Sequence, residues 1–147
     1  EARAQFFGIT EESTRDDMLR AVYEGVGLAM RDCYDSIPGE TTNVSVSGGG
    51  AKSNEWCQML ADITGKIMRV PAGTEFGAKG VALFAGVAVG EFSSIGDAVK
   101  KCVKIEREFF PNMDNKKKYD GLFKVYRKLR DDVFETWDLL ADARKAL

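Results

Sequence analysis

Three consecutive glycines, Gly48 to Gly50, are the residues of this sequence best suited to hold a ligand. They follow a short run of β-branched and small residues and precede Ser53 and Asn54, either of which can cap a helix. Glycines before a helix N-terminus let a ligand approach bare backbone, and the free N–H groups and helix dipole favour anionic or polar ligand atoms. The pattern suggests a phosphate or nucleotide site, although three glycines are as typical of a plain tight turn.

Two familiar phosphate motifs do not fit this turn. In a P-loop the lysine would follow a glycine, whereas Lys52 follows Ala51. A dinucleotide fingerprint would need a third glycine where Ser53 stands and an acidic residue after the next strand, which ends near Val70. The turn therefore belongs to neither class.

The residue types that are missing narrow the chemistry further. The sequence has no histidine, which excludes serine–histidine or cysteine–histidine catalysis and imidazole metal sites confined to this chain. Asp16, Asp17, Asp32 and Asp35 lie on or near a predicted helix, but no glycine-rich phosphate turn precedes them. We therefore assign no catalytic residue and no metal ligand.

The composition is that of a folded protein with no polyanionic partner. Of 147 residues, 44% are apolar and 30% charged, and the net charge of -2 gives no general attraction for nucleic acid or an anionic membrane. The three cysteines are widely spaced and odd in number, which favours reduced thiols and a cytoplasmic location.

The helices and strands that would position the glycine turn are predicted from hydrophobic periodicity and from capping residues. Strands are predicted over residues 43–47 and 66–70, and helices over 14–37, from Ser53 or Asn54 to Gly65, and over 77–89, 94–103 and 119–140. The glycine turn thus sits inside a βαβ unit of an α/β domain. Two strands leave sheet edges without partners, so we expect either further strands here or strands from sequence outside this chain.

Three helices carry expectations about burial. The first should bury one stripe, and the helix over 77–89, apolar nearly all round, should be buried on several sides. The last should dock onto the domain through a stripe from Tyr119 to Leu140, with a partner groove as the alternative. The stripe of the first helix comprises Met18, Val22, Val26, Ala29, Cys33 and Ile37.

The sequence on both sides of the three glycines resembles that of a known protein family. The segment from Gly48 to Gly65, GGGAKSNEWCQMLADITG, resembles the adenosine-binding segment of the FGGY carbohydrate kinases. Arg20 to Val26, RAVYEGV, is similar to the helix that precedes that segment in the family, and Glu75 to Ala82, EFGAKGVA, to the helix that follows it. The segment EFGAKGVA differs from the Ala-Leu-Gly motif that is commoner in the family, so the resemblance does not assign the chain to one branch of the family.

The resemblance implies an actin-like, RNase-H-like ATPase fold, α/β with few strands and several packed helices. Residues 1–147 would form the C-terminal portion of the second, nucleotide-binding domain, and the N-terminal sugar-binding domain would be absent. The implied cofactors are ATP and Mg, and the implied partners are ATP or ADP and, through the absent domain, a sugar or polyol. A homo-oligomer is compatible with this assignment, and which sugar is used stays open.

Carried over by position, the resemblance places Gly49, Gly50 and Ala51 with their backbone beside the α-phosphate and ribose. It places Asn54 against the adenine. Ser53 is better explained as the helix cap.

Five neighbouring positions receive weaker expectations. Lys52 and Glu55 either line the mouth of the cleft or are simply exposed in the first turn of the helix. The family resemblance also includes three polar residues, which we interpret as contacts that stabilise the fold: Gln58, Asp62 and Glu75.

Two functions follow as hypotheses. The first is the ATP-binding part of a carbohydrate kinase that transfers the γ-phosphoryl group to a hydroxyl, inactive alone because the family's catalytic aspartate and phosphate turns are absent here. The alternative is a noncatalytic α/β binding or assembly module with a structural glycine turn.

Overall fold

The first helix begins where local hydrogen bonding predicts it. The Thr14 hydroxyl accepts from the backbone N–H of Asp17, and the Asp17 carboxylate accepts from the N–H of Thr14, forming a capping box. The computed structural model describes residues 2–145. Its helices are α1 (Arg15–Asp35), α2 (Asn54–Thr64), α3 (Phe76–Ala88), α4 (Ile95–Cys102), α5 (Met113–Asp132) and α6 (Thr136–Lys145), and its strands are β1 (Asn43–Ser45), β2 (Ile67–Pro71) and β3 (Ile105–Phe109).

The sheet confirms the βαβ unit and adds a strand. β1 pairs in parallel with β2, with Val44 opposite Met68, and β2 pairs antiparallel with β3, with Val70 opposite Arg107. The order is β1-β2-β3. β3 was not among the predicted strands, because its five residues include Glu106, Arg107 and Glu108, which mask the weak alternation of Ile105 and Phe109.

Helix α2 forms the centre of the packing. Cys57, Leu60, Ala61 and Ile63 are all at most 1% exposed, enclosed by α1, α5 and the sheet. α1 approaches closely because Gly27 has no side chain: a Cβ there would lie 2.5 Å from Cδ1 of Ile63. A side chain at this position would have to displace Ile63, so the crossing of the two helices favours glycine.

The predicted stripe of α1 is not the face that meets α2. Val22 and Val26 are about half exposed, at 51% and 50%, whereas Gly27 and Leu28 are buried. The stripe residues Met18, Val22, Val26 and Ala29 instead line an apolar groove between the N-terminal segment, α1, α5 and α6. The periodicity identified an apolar face correctly, but α1 carries two such faces and only the other one is buried.

Two other helices differ from expectation. In α3 only Leu83 is buried, and Val81 and Phe84 are 71% and 67% exposed, so this helix is not buried on several sides. The C-terminal stripe is divided, because the helix stops at Asp132 and a new one begins at Thr136. Among the described residues, no helix is long and apolar enough to cross a membrane.

Candidate functional site

The glycine turn begins with a backbone conformation that requires glycine. Gly48 has φ 84° and ψ −163°, and Gly49 to Lys52 then form one turn of 3₁₀ helix. The Ala51 N–H donates to the Gly48 carbonyl at 3.2 Å. The first N–H groups of such a turn have no partner within it, so they are available to a ligand.

Helix α2 starts directly after this turn. Its cap is Ser53, whose hydroxyl accepts from the Trp56 N–H at 3.1 Å and donates to the Glu55 carboxylate at 2.9 Å. Ser53 is therefore the helix cap, as predicted. Hydrogen bonds from its own backbone N–H and from the Ser53 hydroxyl lower the pKa of Glu55, so this exposed carboxylate is charged at neutral pH.

The four predicted contact residues lie together, but they differ in accessibility. Gly49 and Gly50 are exposed on the turn, Asn54 is exposed as the first residue of α2, and Ala51 is 5% exposed. A Cβ on Gly49 would meet nothing within 4 Å, so its backbone faces open space. The turn therefore offers a ligand the backbone at Gly49 and Gly50 and the side chain of Asn54, while Ala51 faces inward.

Arg107, which the sequence interpretation did not include, supports the turn from β3. Its guanidinium donates to Oδ1 of Asn54 at 2.5 Å and to the Ala51 carbonyl at 2.7 Å. The only sequence signal for it is the faint alternation of β3. Its neighbour Cys57 is buried, which raises the pKa of that thiol, while the positive charge of Arg107 acts in the opposite direction.

Gln58 and Asp62 make the structural contacts predicted for them. The Asp62 carboxylate, 4% exposed, accepts from the amides of Gln58 and Asn115 at 2.8 and 2.9 Å and from the backbone N–H of Asn112 at 2.8 Å. Asp62 thereby joins α2 to the start of α5. Glu75 precedes α3, and its side chain makes no capping hydrogen bond there.

The other charged side chains considered in the sequence, beside the turn and along α1, do not come together in one site. Lys52 is exposed, and Asp32 pairs with Arg127 and Arg130 on α5, away from the turn. Within residues 2–145 there is no cluster of three or more acidic or cysteine side chains that could hold a metal ion. The described site is thus a backbone and amide surface rather than a constellation of acids and bases.

The βαβ unit, the added antiparallel strand and the surrounding helices form an α/β domain, and its likeness to solved structures shows that it has the actin-like fold. A ligand-bound xylulose kinase from Lactobacillus acidophilus superposes with a TM-score of 0.88 at 22% identity, over 95% of this chain and 29% of that one. At that identity the likeness supports the fold.

Sequence comparison gives the family. A model described as the FGGY family of carbohydrate kinases, C-terminal domain, matches residues 1–89, more than half of the chain. An erythritol kinase from Brucella abortus is 31% identical over 145 residues, and a xylulose kinase from Staphylococcus epidermidis is 32% identical over 145 residues. The alignments cover 97% and 94% of this chain but 28% and 29% of those relatives. The chain belongs to the FGGY family of carbohydrate kinases, and the match is to that family's C-terminal domain.

Proposed function

We propose that this chain is the ATP-binding part of a carbohydrate kinase that transfers the γ-phosphoryl group of ATP to a hydroxyl of a sugar or polyol. Family membership supports the reaction class, and the turn from Gly48 to Asn54 supports the nucleotide role. The single observation that carries the nucleotide role is the open backbone of Gly49, which lies in the turn that precedes the 11-residue helix α2.

The geometry fits a nucleotide without a catalytic group of its own. The unpartnered N–H groups of the turn and the dipole of α2 favour phosphate oxygens, and the Asn54 amide lies at the first helical position, where it can meet a base. Mg²⁺ commonly binds through substrate phosphates, with few ligands from the protein. The absence of an acidic cluster among the described residues is therefore compatible with a nucleotide that brings its own metal.

The chain alone is proposed to lack kinase activity. Phosphoryl transfer depends on in-line positioning and on charge stabilisation across a closed cleft. This chain spans less than a third of the relatives it matches. The acceptor-binding residues and the base are proposed to lie in a second domain outside residues 1–147.

The separate cysteines Cys33, Cys57 and Cys102 support a cytoplasmic location.

The test compares the 147-residue chain with the full-length kinase that carries it. Calorimetric titration with MgATP and MgADP should show saturable binding to the full-length protein. Coupled assays with erythritol, xylulose and glycerol should show ATP-dependent turnover of at least one acceptor by that protein and none by the chain alone. Turnover by the chain alone would refute its proposed inactivity, and a full-length protein that neither binds MgATP nor phosphorylates an acceptor would refute the nucleotide role.

The assembly-module alternative receives less support from the packing. Tyr119, the first residue of the C-terminal stripe, is 6% exposed and packs with Leu28, Ile63 and Phe123, and Tyr126 of the stripe packs against the same cluster. That part of the stripe is occupied by the domain itself.

A further inference from the structure

We propose that Arg107 is a positioning residue that sets the hydrogen-bonding polarity of Asn54, so that the site presents the nucleobase with a donor. This inference rests on the proposed nucleotide role of the turn. It adds a residue from β3, which lies outside the 1–89 match to the family, and it specifies that the base is held through an acceptor atom.

The chemistry of the two side chains determines which way the amide points. A guanidinium has five N–H donors and no acceptor, whereas an asparagine amide has an oxygen that accepts and an NH₂ that donates. The 2.5 Å contact between the Arg107 guanidinium and Asn54 is therefore made to Oδ1. The flipped amide would direct NH₂ at the guanidinium, donor against donor. Nδ2 is the group left for a ligand on the exposed side of Asn54.

A second hydrogen bond keeps the guanidinium in place. Arg107 also donates to the carbonyl of Ala51 at 2.7 Å, so a single planar group links the turn and the first residue of α2. The pairing of Arg107 with Val70 places the side chain on the sheet face that is covered by α2. Arg107 is partly buried there, and its position is therefore determined by the sheet rather than by the exposed loop.

This arrangement has a consequence for binding. A pre-oriented side chain loses less conformational freedom when a ligand binds, so the donor is ready before the nucleotide arrives. Adenine offers acceptors at its ring nitrogens, and these are the atoms that Nδ2 can satisfy.

The decisive variant is Asn54→Asp in the full-length kinase. A carboxylate would keep the bond to Arg107 and turn it into an ion pair, but it would remove the Nδ2 donor. We expect the Kd for MgADP, measured by calorimetry, and the KM for MgATP to rise about tenfold, the effect of one lost hydrogen bond. The KM for the fastest of erythritol, xylulose and glycerol should stay within twofold. Wild-type affinity of Asn54→Asp for MgADP would overturn the proposal.

The role of Arg107 is tested by a double-mutant cycle. Arg107→Ala should raise the KM for MgATP about tenfold in the wild-type background and less than threefold in the Asn54→Ala background, because the two residues act as a unit. Arg107→Lys should reverse only part of the rise in the KM for MgATP, since one ammonium cannot reproduce the two hydrogen bonds of the planar guanidinium. Additive effects, or an equal rise in the acceptor KM, would overturn the positioning role.

A matched control separates this effect from general weakening of the sheet. Arg69 lies on the other face of β2 and pairs with Glu108 of β3 at 2.7 Å. Arg69→Ala removes a cross-strand contact of the same two strands and should leave both KM values within twofold. If Arg107→Ala fails to fold, the affinity of Asn54→Asp for MgADP is the test of the proposal. A wild-type enzyme that uses MgATP while Asn54→Asp is unaffected would contradict this inference and leave the proposed reaction standing.

Discussion

The indole of Trp56 covers Gly50: a Cβ built on Gly50 would lie 3.1 Å from Nε1 and 3.2 Å from Cδ1 of the ring. Gly49, its neighbour on the same turn, has no atom within 4 Å of the corresponding position. Two adjacent glycines thus differ in what a side chain would meet. At Gly50 it would meet the protein, and at Gly49 only solvent or a ligand.

Gly49→Ala is expected to separate nucleotide contact from folding. The added methyl group fits the free protein, so the melting temperature should change by less than about 2 °C, within the range of a neutral surface substitution. The same methyl group would occupy the space through which a phosphate approaches the backbone. The Kd of the full-length kinase for MgADP should rise at least about tenfold, equivalent to about 1.4 kcal/mol. Unchanged affinity would remove Gly49 from the nucleotide site.

Gly50→Val is expected to lower both stability and nucleotide affinity. A branched side chain would displace Trp56, which packs against Val44, Leu60 and Met68, and overpacking of this kind costs about 1–3 kcal/mol. Urea denaturation followed by tryptophan fluorescence measures the loss of stability. The KM for MgATP should rise far more than the KM for the acceptor. An equal rise in both would indicate general misfolding instead of a local change at the turn.

Asp62→Ala should be the most destabilising of these changes. It would remove the shared acceptor of three donors, from Gln58, Asn112 and Asn115, and hydrogen bonds to a charged group contribute about 1.5–3 kcal/mol each. We expect the free energy of unfolding to fall by about 3 kcal/mol in urea. Asp142→Ala is the matched control, because its pair with Lys145 is solvent-exposed and worth less than about 1 kcal/mol. Similar losses in the two variants would contradict the structural role of Asp62.

Asp120 should make stability depend on pH in the acid range. Hydrogen bonds from Lys116 and Arg31 lower the pKa of this carboxyl in the folded state. A lowered folded pKa gives stability that is present above the unfolded value, about 3.9, and is lost as the pH falls through the folded pKa.

In Asp120→Asn this contribution is absent. With Asp120 about 39% exposed, solvent screening limits the expected deficit at pH 7 to about 0.5 kcal/mol. The difference from wild type should shrink as the pH falls below the unfolded value and disappear below the lowered folded pKa. Urea midpoints measured from pH 2.5 to 7 test this, with Asp132→Asn as the exposed control. A gap that stays constant down to pH 2.5 would contradict the linkage.

Local sequence determined the features whose hydrogen bonds close within a few residues. The capping box of Thr14, the cap at Ser53 and the left-handed Gly65 that ends α2 each depend on neighbours no more than four positions away. The strand–turn–helix–strand order follows from the same short-range signals. These features also include the residues that carry the family resemblance.

Tertiary structure decided which surfaces meet. Two faces of α1 are apolar, and only packing of Gly27 against Ile63 selects the one that is buried. Arg107 reaches Asn54 across 53 positions of sequence, because β3 pairs antiparallel with β2 and brings its face over the start of α2. No local pattern encodes such a contact, since it depends on strand register and helix placement together. The sequence by itself therefore located the glycine turn, and the packed sheet alone placed the arginine that supports it.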